Sequence, residues 1–244
     1  MPAIEVLAWD SEFFGIPIGR VCLDGATEQS LCAIEEEGRD LGLQCLYGTL
    51  DASRVEYATT ACVAQRFGHR LVEVAQLFAR PREPYVPVKP PTSTVRHGTI
   101  DDVEQLQPAM ELLAPWSRFG ADPRFGRDAA ERMHRAWVER AARDSDERML
   151  AIAEDDSGIV GVSTHVRSPV PRVDFMGVTK PGSGAAQALM GALMDWAGDS
   201  ETEAGPCAAR NIAPVRYLEG CGFRISRVQY LFHRWLDEKT GVAG

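Results

Sequence analysis

The feature that most constrains this chain is an apolar run followed, after a short turn, by a helix that begins with small residues. "RVDFMGV" alternates like a β-strand, and "SGAAQALMGALMDWA", residues 183–197, repeats apolar residues at helical spacing. A helix entered through such a turn leaves its first N–H groups open to an anion, with the positive end of the helix dipole behind them. Glycines are also common at turns for tight geometry alone. The stretch is therefore compatible with a phosphate site and with an ordinary core helix.

Composition excludes several classes of function. The chain has 244 residues, 45% of them hydrophobic, which predicts a folded protein of one large or two small domains. Its net charge of −9, without a block of Lys and Arg, argues against a nucleic-acid partner. Six scattered cysteines predict free thiols without a metal site, and the absence of a signal peptide or a long apolar run predicts a cytoplasmic protein that contacts no membrane.

A proline-rich stretch predicts where the chain divides. "PREPYVPVKPPTST", residues 81–94, contains five prolines and is typical of a linker, which gives domains at 1–80 and 95–240. Two segments, "GHRLVEVAQLFAR" (68–80) and "GFRISRVQYLFHR" (222–234), align without a gap. They predict an internal repeat in which each half ends on a helix, a glycine and a strand, although alternating strands can also converge by chance.

The second half has the pattern of a mixed sheet covered by helices. Thr99 is a candidate N-cap before "IDDVEQLQPAMELL", and "DAAERMHRAWVERAARD" repeats apolar residues at helical spacing. "RMLAIAED" and "IVGVSTHV" predict a hairpin around Asp156, Ser157 and Gly158, and "RVDFMGV" predicts the next strand. The predicted fold class is therefore α/β, with an α+β mixed sheet.

The same order resembles the GNAT superfamily of acyl-CoA-dependent N-acyltransferases. Gly184, Ala185 and Ala186 fit the last three places of its acyl-CoA motif, Q/R-x-x-G-x-G/A, and "RNIAPVRYLEGCGFR" resembles its last helix and strand. Neither the P-loop nor the dinucleotide-binding glycine pattern is present. "LAWDSEFFGIPIGRV" and "WSRFGADPRF" more narrowly resemble the branch that contains dTDP-fucosamine acetyltransferase, which has an extra N-terminal domain.

The resemblance implies an acyl-CoA site on the strand and turn. The strand would splay from its neighbour and offer main-chain groups at Gly177 and Val178 to the pantetheine and thioester of acetyl-CoA or another acyl-CoA. The Val178 N–H would polarise the thioester carbonyl. The remaining implied CoA-binding residues are Lys180, Gly182, Ser183, Gly184, Ala185, Ala186, Gln187 and Asn211.

Two departures from the family pattern bear on this site. Pro181 and Ser183 stand where the family has a glutamine or basic residue and an Arg, and Lys180 is a candidate replacement for the charge. Leu218 takes the place of the tyrosine that protonates the departing thiolate, and Tyr217 lies one residue early. A shift of one position along a helix turns a side chain by about 100°, although Pro214 could kink the helix and direct the Tyr217 hydroxyl back toward the thioester. Tyr217 is therefore a candidate acid or a half-buried packing residue.

Other candidates complete the predicted reaction. Asp174, which alternation sets opposite Val173 and Phe175, and His165 are candidate bases for the incoming amine. Trp116, Arg118 and Phe119 are candidates for the acceptor pocket, where Arg118 could bind a nucleotide phosphate. The prediction is direct transfer of an acyl group to a primary amine of a small molecule, such as a nucleotide-linked amino sugar, by a chain that could form a homodimer. The alternatives are a non-standard acyl donor and a non-catalytic acyl-CoA-binding module.

Overall fold

The structure is a computed structural model that describes residues 4–87, 90–144, 146–167, 169–198 and 200–238. Val88 and Lys89 of the predicted linker lie outside the described residues, as do the two ends of the predicted domains, 1–3 and 239–240. Contacts divide the described chain into a first unit, residues 4–75 with 227–238, and a second unit, residues 76–226. The predicted division at 81–94 stays a prediction, but the structure groups the end of the chain with the first unit.

The first unit is a four-stranded mixed sheet with helices. Its strands lie in the order β1–β2–β3–β10, with β2 and β3 parallel and the outer pairs antiparallel. Apolar residues of α2, α3 and the strands form its core, including Leu31, Ile34 and Phe232. Its elements are β1 (Glu5–Val6), α1 (Ala8–Phe14), β2 (Ile18–Cys22), α2 (Glu28–Asp40), β3 (Cys45–Asp51), α3 (Tyr57–Arg66), the start of β4 (Arg70–Arg80) and most of β10 (Arg224–Trp235).

The second unit is a six-stranded mixed sheet. The strands lie in the order β4–β9–β8–β7–β6–β5; β5 to β8 run antiparallel to their neighbours, while β8 and β9 are parallel. Its elements are the end of β4, β5 (Thr94–His97), α4 (Gln107–Leu113), α5 (Arg118–Ala121), α6 (Gly126–Arg143), β6 (Arg148–Asp155), β7 (Gly158–Val166), β8 (Arg172–Val178), α7 (Ala185–Ala197), β9 (Thr202–Ala208) and α8 (Ile212–Gly220).

Helices cover both faces of the second sheet. On one face, α4 and α6 bury Met110 and Val138 against Phe175 of β8. On the other face, α7 and α8 bury Leu193 and Leu218 around Val173. This arrangement confirms the predicted mixed α/β class and sets the start of α7 beside the end of β8.

Most predicted elements of the second unit lie where the sequence predicts them, with one interruption. β8 matches the predicted strand, and the hairpin of β6 and β7 forms around the predicted turn. The single helix predicted after Thr99 is instead a 3-10 helix, Ile100–Leu106, followed by α4. Pro108 lies in the first turn of α4 because proline has no N–H to give to a continuing helix.

The two aligned segments have the same local structure. Gly68 follows α3 and Gly222 follows α8, with φ of +76° and +88°, and a strand follows each glycine. A larger order is also repeated, because strand, helix, strand, helix and strand recur in β2–α2–β3–α3–β4 and in β8–α7–β9–α8–β10. The internal repeat stays a prediction about the origin of the chain. The two series of elements, which we call the matching frames, allow corresponding positions of the two units to be compared.

Candidate active site

The turn before α7 has the backbone that its glycines predict. Gly182 and Gly184 have φ of +85° and +75°, a region that side chains other than glycine rarely occupy. Gly184 is the N-cap of α7 and makes no side-chain cap, while Oγ of the preceding Ser183 accepts from the Ala185 N–H at 3.4 Å. Among the described residues, no acceptor is found for the N–H groups of Gly184, Ala186 and Gln187. The start of α7 can therefore receive an anion.

The edge of β8 next to this turn is open. β8 pairs with β9 at Arg172–Glu203 and Val173–Ala204, and the described strands share no further pairs, so they diverge toward the end of β8. The Thr179 N–H donates to the Val160 carbonyl at 3.0 Å. Because N–H directions alternate along a strand, the N–H of Val178 points away from β7, toward the diverging side. This is the edge that the resemblance assigns to pantetheine.

Gly177 lies on the opposite side of this strand from α7. A Cβ added to Gly177 would lie 3.1 Å from Cβ of Ala109 and 3.3 Å from Cδ1 of Leu113, both in α4. The glycine thus lets α4 pack closely on β8, which supports the edge from behind. Its position is consistent with the predicted role of the main chain, and any side chain at residue 177 would push α4 away.

Lys180 is engaged away from the turn. Its Nζ donates to Oδ2 of Asp155 at 2.7 Å and to Oγ of Ser157 at 3.1 Å. The hydrogen bond from Lys180 lowers the pKa of Asp155 to about 2, together with bonds from Ser157. Lys180 therefore holds the β6–β7 hairpin in this structure, and its predicted contact with a pyrophosphate would require that ion pair to open.

Asp174 occupies a β-bulge that sequence alternation does not reveal. Thr164 pairs with Phe175 and His165 pairs with Val173, which leaves Asp174 as the extra residue of β8. Val173 and Phe175 consequently pack into different cores, against α7 and against α6, so the predicted alternation is wrong here. The Asp174 carboxylate is bonded by Arg172 Nε and lies 3.7 Å from Arg148 Nη1. Two guanidinium groups thus compete with an amine for this candidate base.

His165 is buried and does not open onto the edge of β8. Its side chain is fully buried, its Nε2 lies 2.8 Å from Oγ of Ser163, and its ring lies 6.1 Å from that of Trp196. Burial, with a smaller effect from His97, lowers the pKa of His165 to about 3. The imidazole is therefore neutral and cannot hold a proton taken from an ammonium group near neutral pH. The structure does not favour the predicted base role of His165.

Tyr217 reaches the first turn of α7. Its hydroxyl donates to the carbonyl of Ala186 at 2.7 Å, and desolvation raises its pKa well above the ordinary value, with Cys221 and Tyr85 adding to the shift. Leu218 is 5% exposed and packs in the core instead of facing a substrate. Pro214 lies in the first turn of α8, where its missing N–H interrupts no helical bond, and α8 runs past it to Gly220. The predicted kink at Pro214 is therefore not present.

The remaining site candidates lie at the start of α8 and in the segment after α4, which includes α5. Asn211 is the N-cap of α8, and its side chain makes no capping bond. The neighbouring Arg210 donates to the Pro115 carbonyl at 2.7 Å and stacks on the ring of Trp116, which is 38% exposed. The guanidinium carbon of Arg118 lies 4.7 Å from the ring centre of Phe119, whose own side chain is buried. Of the three predicted acceptor residues, Trp116 is the most exposed, and Phe119 is part of the core.

Sequence reasoning missed the residues that hold the turn from outside. Hydroxyl groups of Thr92 and Ser93 donate to the Ser183 carbonyl at 2.6 and 2.7 Å. Arg210 was also missed, although it joins the loop after β9 to Trp116. A run of threonine and serine at the end of the proline-rich segment was the available signal for the first pair, but nothing local connects it with Ser183.

Several kinds of site find no support in the part of the chain that the structure describes. No group of three or more His, Cys, Asp or Glu side chains there could hold a metal ion, and none of the described helices has the length and apolar character to cross a membrane. The six cysteines are free thiols. Burial raises the pKa of Cys207 to about 11, which makes its thiol a poor nucleophile near neutral pH.

Comparison with solved structures identifies the fold. A functionally unknown conserved protein from Staphylococcus epidermidis is similar at TM-score 0.72 and 11% identity, covering 96% of this chain and 90% of its own. A GCN5-related N-acetyltransferase from Sphaerobacter thermophilus is similar at TM-score 0.59 and 18% identity, covering 96% and 76%. A tandem GNAT protein from the clavulanic acid biosynthesis pathway is similar at TM-score 0.56 and 13% identity, covering 92% and 77%.

These similarities show the class of fold. The chain has the GCN5-related N-acetyltransferase, or GNAT, fold. No protein-family model and no curated protein sequence matches it. The three neighbours described above give no support to the narrower resemblance to the branch that contains dTDP-fucosamine acetyltransferase.

Proposed function

We propose that the second unit binds an acyl-CoA, most simply acetyl-CoA, and transfers its acyl group to a primary amine of a small molecule. The observation that carries the proposal is the divergence of β8 from β9 directly beside the uncapped start of α7. The open strand edge would pair with pantetheine, and the open N–H groups of α7 would bind the diphosphate. Both features are needed for one extended ligand.

In the matching frame of the first unit, the strands do not diverge and the start of the helix is not open. There β2 and β3 stay paired over five residues, from Ile18–Cys45 to Cys22–Thr49. The N-terminus of α2 is closed by its own side chains, because Thr27 accepts from the Ser30 N–H and Ser30 accepts from the Thr27 N–H. An acyl-CoA site is therefore proposed for the second unit alone.

The proposed chemistry is direct transfer. The amine nitrogen attacks the thioester carbon, the C–N bond forms as the C–S bond breaks, and CoA leaves as a thiolate that takes up a proton. The Val178 N–H would stabilise the negative oxygen of the tetrahedral intermediate. A covalent cysteine intermediate is not proposed, because burial disfavours the Cys207 thiolate and Cys221 lies buried in the core.

Two proton transfers complete the proposed mechanism. Asp174 is held by two arginines and His165 is buried, so we propose that water takes the proton of the amine. The raised pKa of Tyr217 makes its hydroxyl a reluctant donor, and it would have to leave the Ala186 carbonyl to reach a thiolate. Tyr217 remains the predicted acid, with water as the competing donor.

The acceptor is proposed to bind near Trp116. The exposed ring of Trp116 offers a flat apolar surface, and the guanidinium group of Arg210, which lies over this ring, adds positive charge. Such a surface would suit a ring with an attached anionic group, and a nucleotide-linked amino sugar has both. The cytoplasmic location and the homodimer stay predictions.

A non-catalytic acyl-CoA-binding module is the second candidate, and the engaged Asp174 and Tyr217 favour it. Titration calorimetry with acetyl-CoA, followed by an assay of CoA release with a panel of amines that includes dTDP-amino sugars, separates the two. Binding with turnover supports the enzyme, and binding without turnover supports the module. No binding of acetyl-CoA would overturn both and leave a different acyl donor to be tested.

A further inference from the structure

We infer that Thr92 and Ser93 are positioning residues that aim the Gly184 N–H at the diphosphate of the bound acyl-CoA. The inference rests on the proposed function, since it concerns the same turn. It assigns a role to the end of the proline-rich segment 81–94, which the sequence predicts to be a linker. Two hydrogen bonds, the geometry of one peptide group and one close contact point to this role.

The hydrogen bonds converge on one carbonyl group. Oγ1 of Thr92 donates to the Ser183 oxygen at 2.6 Å, and Oγ of Ser93 donates to the same oxygen at 2.7 Å. A carbonyl oxygen has two lone pairs, so the two hydroxyl groups use its full capacity. Ser93 is 8% exposed, which protects its bond from exchange with water.

The geometry of the peptide group means that anchoring the Ser183 carbonyl also sets the direction of the Gly184 N–H. The Ser183 carbonyl and the Gly184 N–H belong to one planar trans peptide group, in which C=O and N–H point in opposite directions. Fixing the oxygen toward Thr92 and Ser93 therefore fixes the N–H on the far side. Glycine imposes little barrier to rotation of this group, so without the two hydroxyls the turn could present either its donor or its acceptor.

A close contact keeps the segment against the turn. The nitrogen and Oγ1 of Thr92 lie 2.6 and 2.5 Å from the place where a Cβ on Gly184 would stand. Glycine at 184 is thus required by its neighbour Thr92 as well as by its own φ. A side chain there would displace Thr92 and release the Ser183 carbonyl.

The start of the same segment is also fixed. Nη2 of Arg80 donates to the Pro84 carbonyl at 3.0 Å, and the ring of Tyr85 packs against the core that contains Cys221. Pro90 and Pro91, directly before Thr92, have restricted backbones, which lowers the entropy lost when the hydroxyls are held in place. The described parts of the segment therefore act as a brace for α7.

The test removes the hydroxyl groups with little change in shape. The double variant Thr92→Val/Ser93→Ala is compared with Thr92→Ser, which keeps a hydroxyl, and with Thr94→Val, whose hydroxyl makes no hydrogen bond in the part of the chain that is described. Calorimetry measures the binding of acetyl-CoA and of S-acetyl-pantetheine, which lacks the diphosphate. Far-UV circular dichroism and thermal unfolding report whether each variant folds, and Thr92→Val alone serves if the double variant does not.

The expected result is a loss specific to the diphosphate. Acetyl-CoA should bind the double variant about tenfold more weakly, the order expected for the loss of one or two hydrogen bonds, while S-acetyl-pantetheine binding is unchanged. Thr92→Ser and Thr94→Val should bind both ligands like the unsubstituted chain. Equal affinity of the double variant for acetyl-CoA, or an equal loss for both ligands, would overturn the inference. If the unsubstituted chain binds no acetyl-CoA, the proposed function fails instead.

Discussion

Arg80 lies against Gly222: its Nε is 3.5 Å from the place where a Cβ on Gly222 would stand, and it donates to the Cys221 carbonyl at 3.2 Å. Arg234 lies against Gly68 in the same way, with its guanidinium carbon 3.3 Å from the corresponding place. The four residues are the first and last of the two aligned segments 68–80 and 222–234. In each unit, the arginine that ends one segment packs on the glycine that begins the other.

We expect the two arginines to contribute unequally to stability. Arg234 is fully buried and bonds Glu35 at 2.7 Å, so Arg234→Met would leave a buried carboxylate with only the half-exposed Arg39 and should cost about 3–5 kcal/mol. Arg80 bonds carbonyl groups, so Arg80→Met should cost about 1–3 kcal/mol. Urea unfolding measures both, and Glu35→Gln added to Arg234→Met should recover part of the larger loss. Equal losses of unfolding free energy in Arg234→Met and Arg80→Met would contradict the proposed cost of leaving the Glu35 carboxylate buried.

Gly184→Asp should abolish measurable acetyl-CoA binding. The new side chain would enter the contact with Thr92, and its charge would repel the diphosphate. Gly198→Asp is the matched control, because Gly198 also has positive φ and lies at the other end of α7. Calorimetry on both variants decides the matter: an unchanged affinity in Gly184→Asp, or an equal loss in Gly198→Asp, would remove the turn from the proposed site.

Tyr217→Phe separates a proton donor from a packing residue. Loss of the bond to the Ala186 carbonyl should raise the KM for acetyl-CoA a few-fold, because it loosens the first turn of α7. The turnover number should fall by less than about tenfold if water protonates the thiolate. Loss of a general acid typically costs about 10² to 10⁴ in rate, so a fall of that size in steady-state assays would establish Tyr217 as the donor.

Acid should destabilise the fold through three buried histidines. Burial lowers the pKa of His69 and His134 to about 4 and that of His165 to about 3, against about 6.5 in the unfolded chain. Below pH 6.5 the unfolded chain therefore binds protons that the folded chain refuses, and stability falls until the folded pKa values are reached. Each histidine contributes about 1.4 kcal/mol per pH unit in this window. The free energy of unfolding, measured in urea at pH 8, 7, 6 and 5, should be constant at high pH and then fall steeply. A fall of less than about 1.4 kcal/mol between pH 6 and pH 5, the effect of a single proton, would contradict the prediction.

Limited proteolysis tests the predicted division of the chain at 81–94. Val86 is 77% exposed, whereas Ser93 is buried and bonded to the turn. We expect a protease of broad specificity to cut first near Val86, because strongly exposed chain is the preferred site of nicking. Mass spectrometry of the fragments locates the cut. Preferred cutting outside 81–94 would count against a boundary in that segment.

Local patterns were enough to predict most elements of the second unit and the turn before α7, but not what contacts them. The strand β8 and the helix α7 follow from strong periodicity, and the positive φ of Gly182 and Gly184 follows from the small residues there. The bulge at Asp174 depends on how β7 pairs with β8, so alternation within one strand could not reveal it. The burial of His165 depends on Trp196, and the brace at Ser183 depends on residues about ninety positions earlier.

The first unit contains a strand, β10, from the end of the chain, and this fixes the order in which the units can finish folding during synthesis. Residues 4–75 are synthesised first, yet the strand that pairs with β3 lies at 229–235. Until that strand emerges, the edge of β3 and the carboxylate of Glu35 have no Arg234 or β10 to cover them. The first unit is therefore completed only after the second unit has been made, and the nascent chain carries an exposed edge of β3 until residues 229–235 emerge.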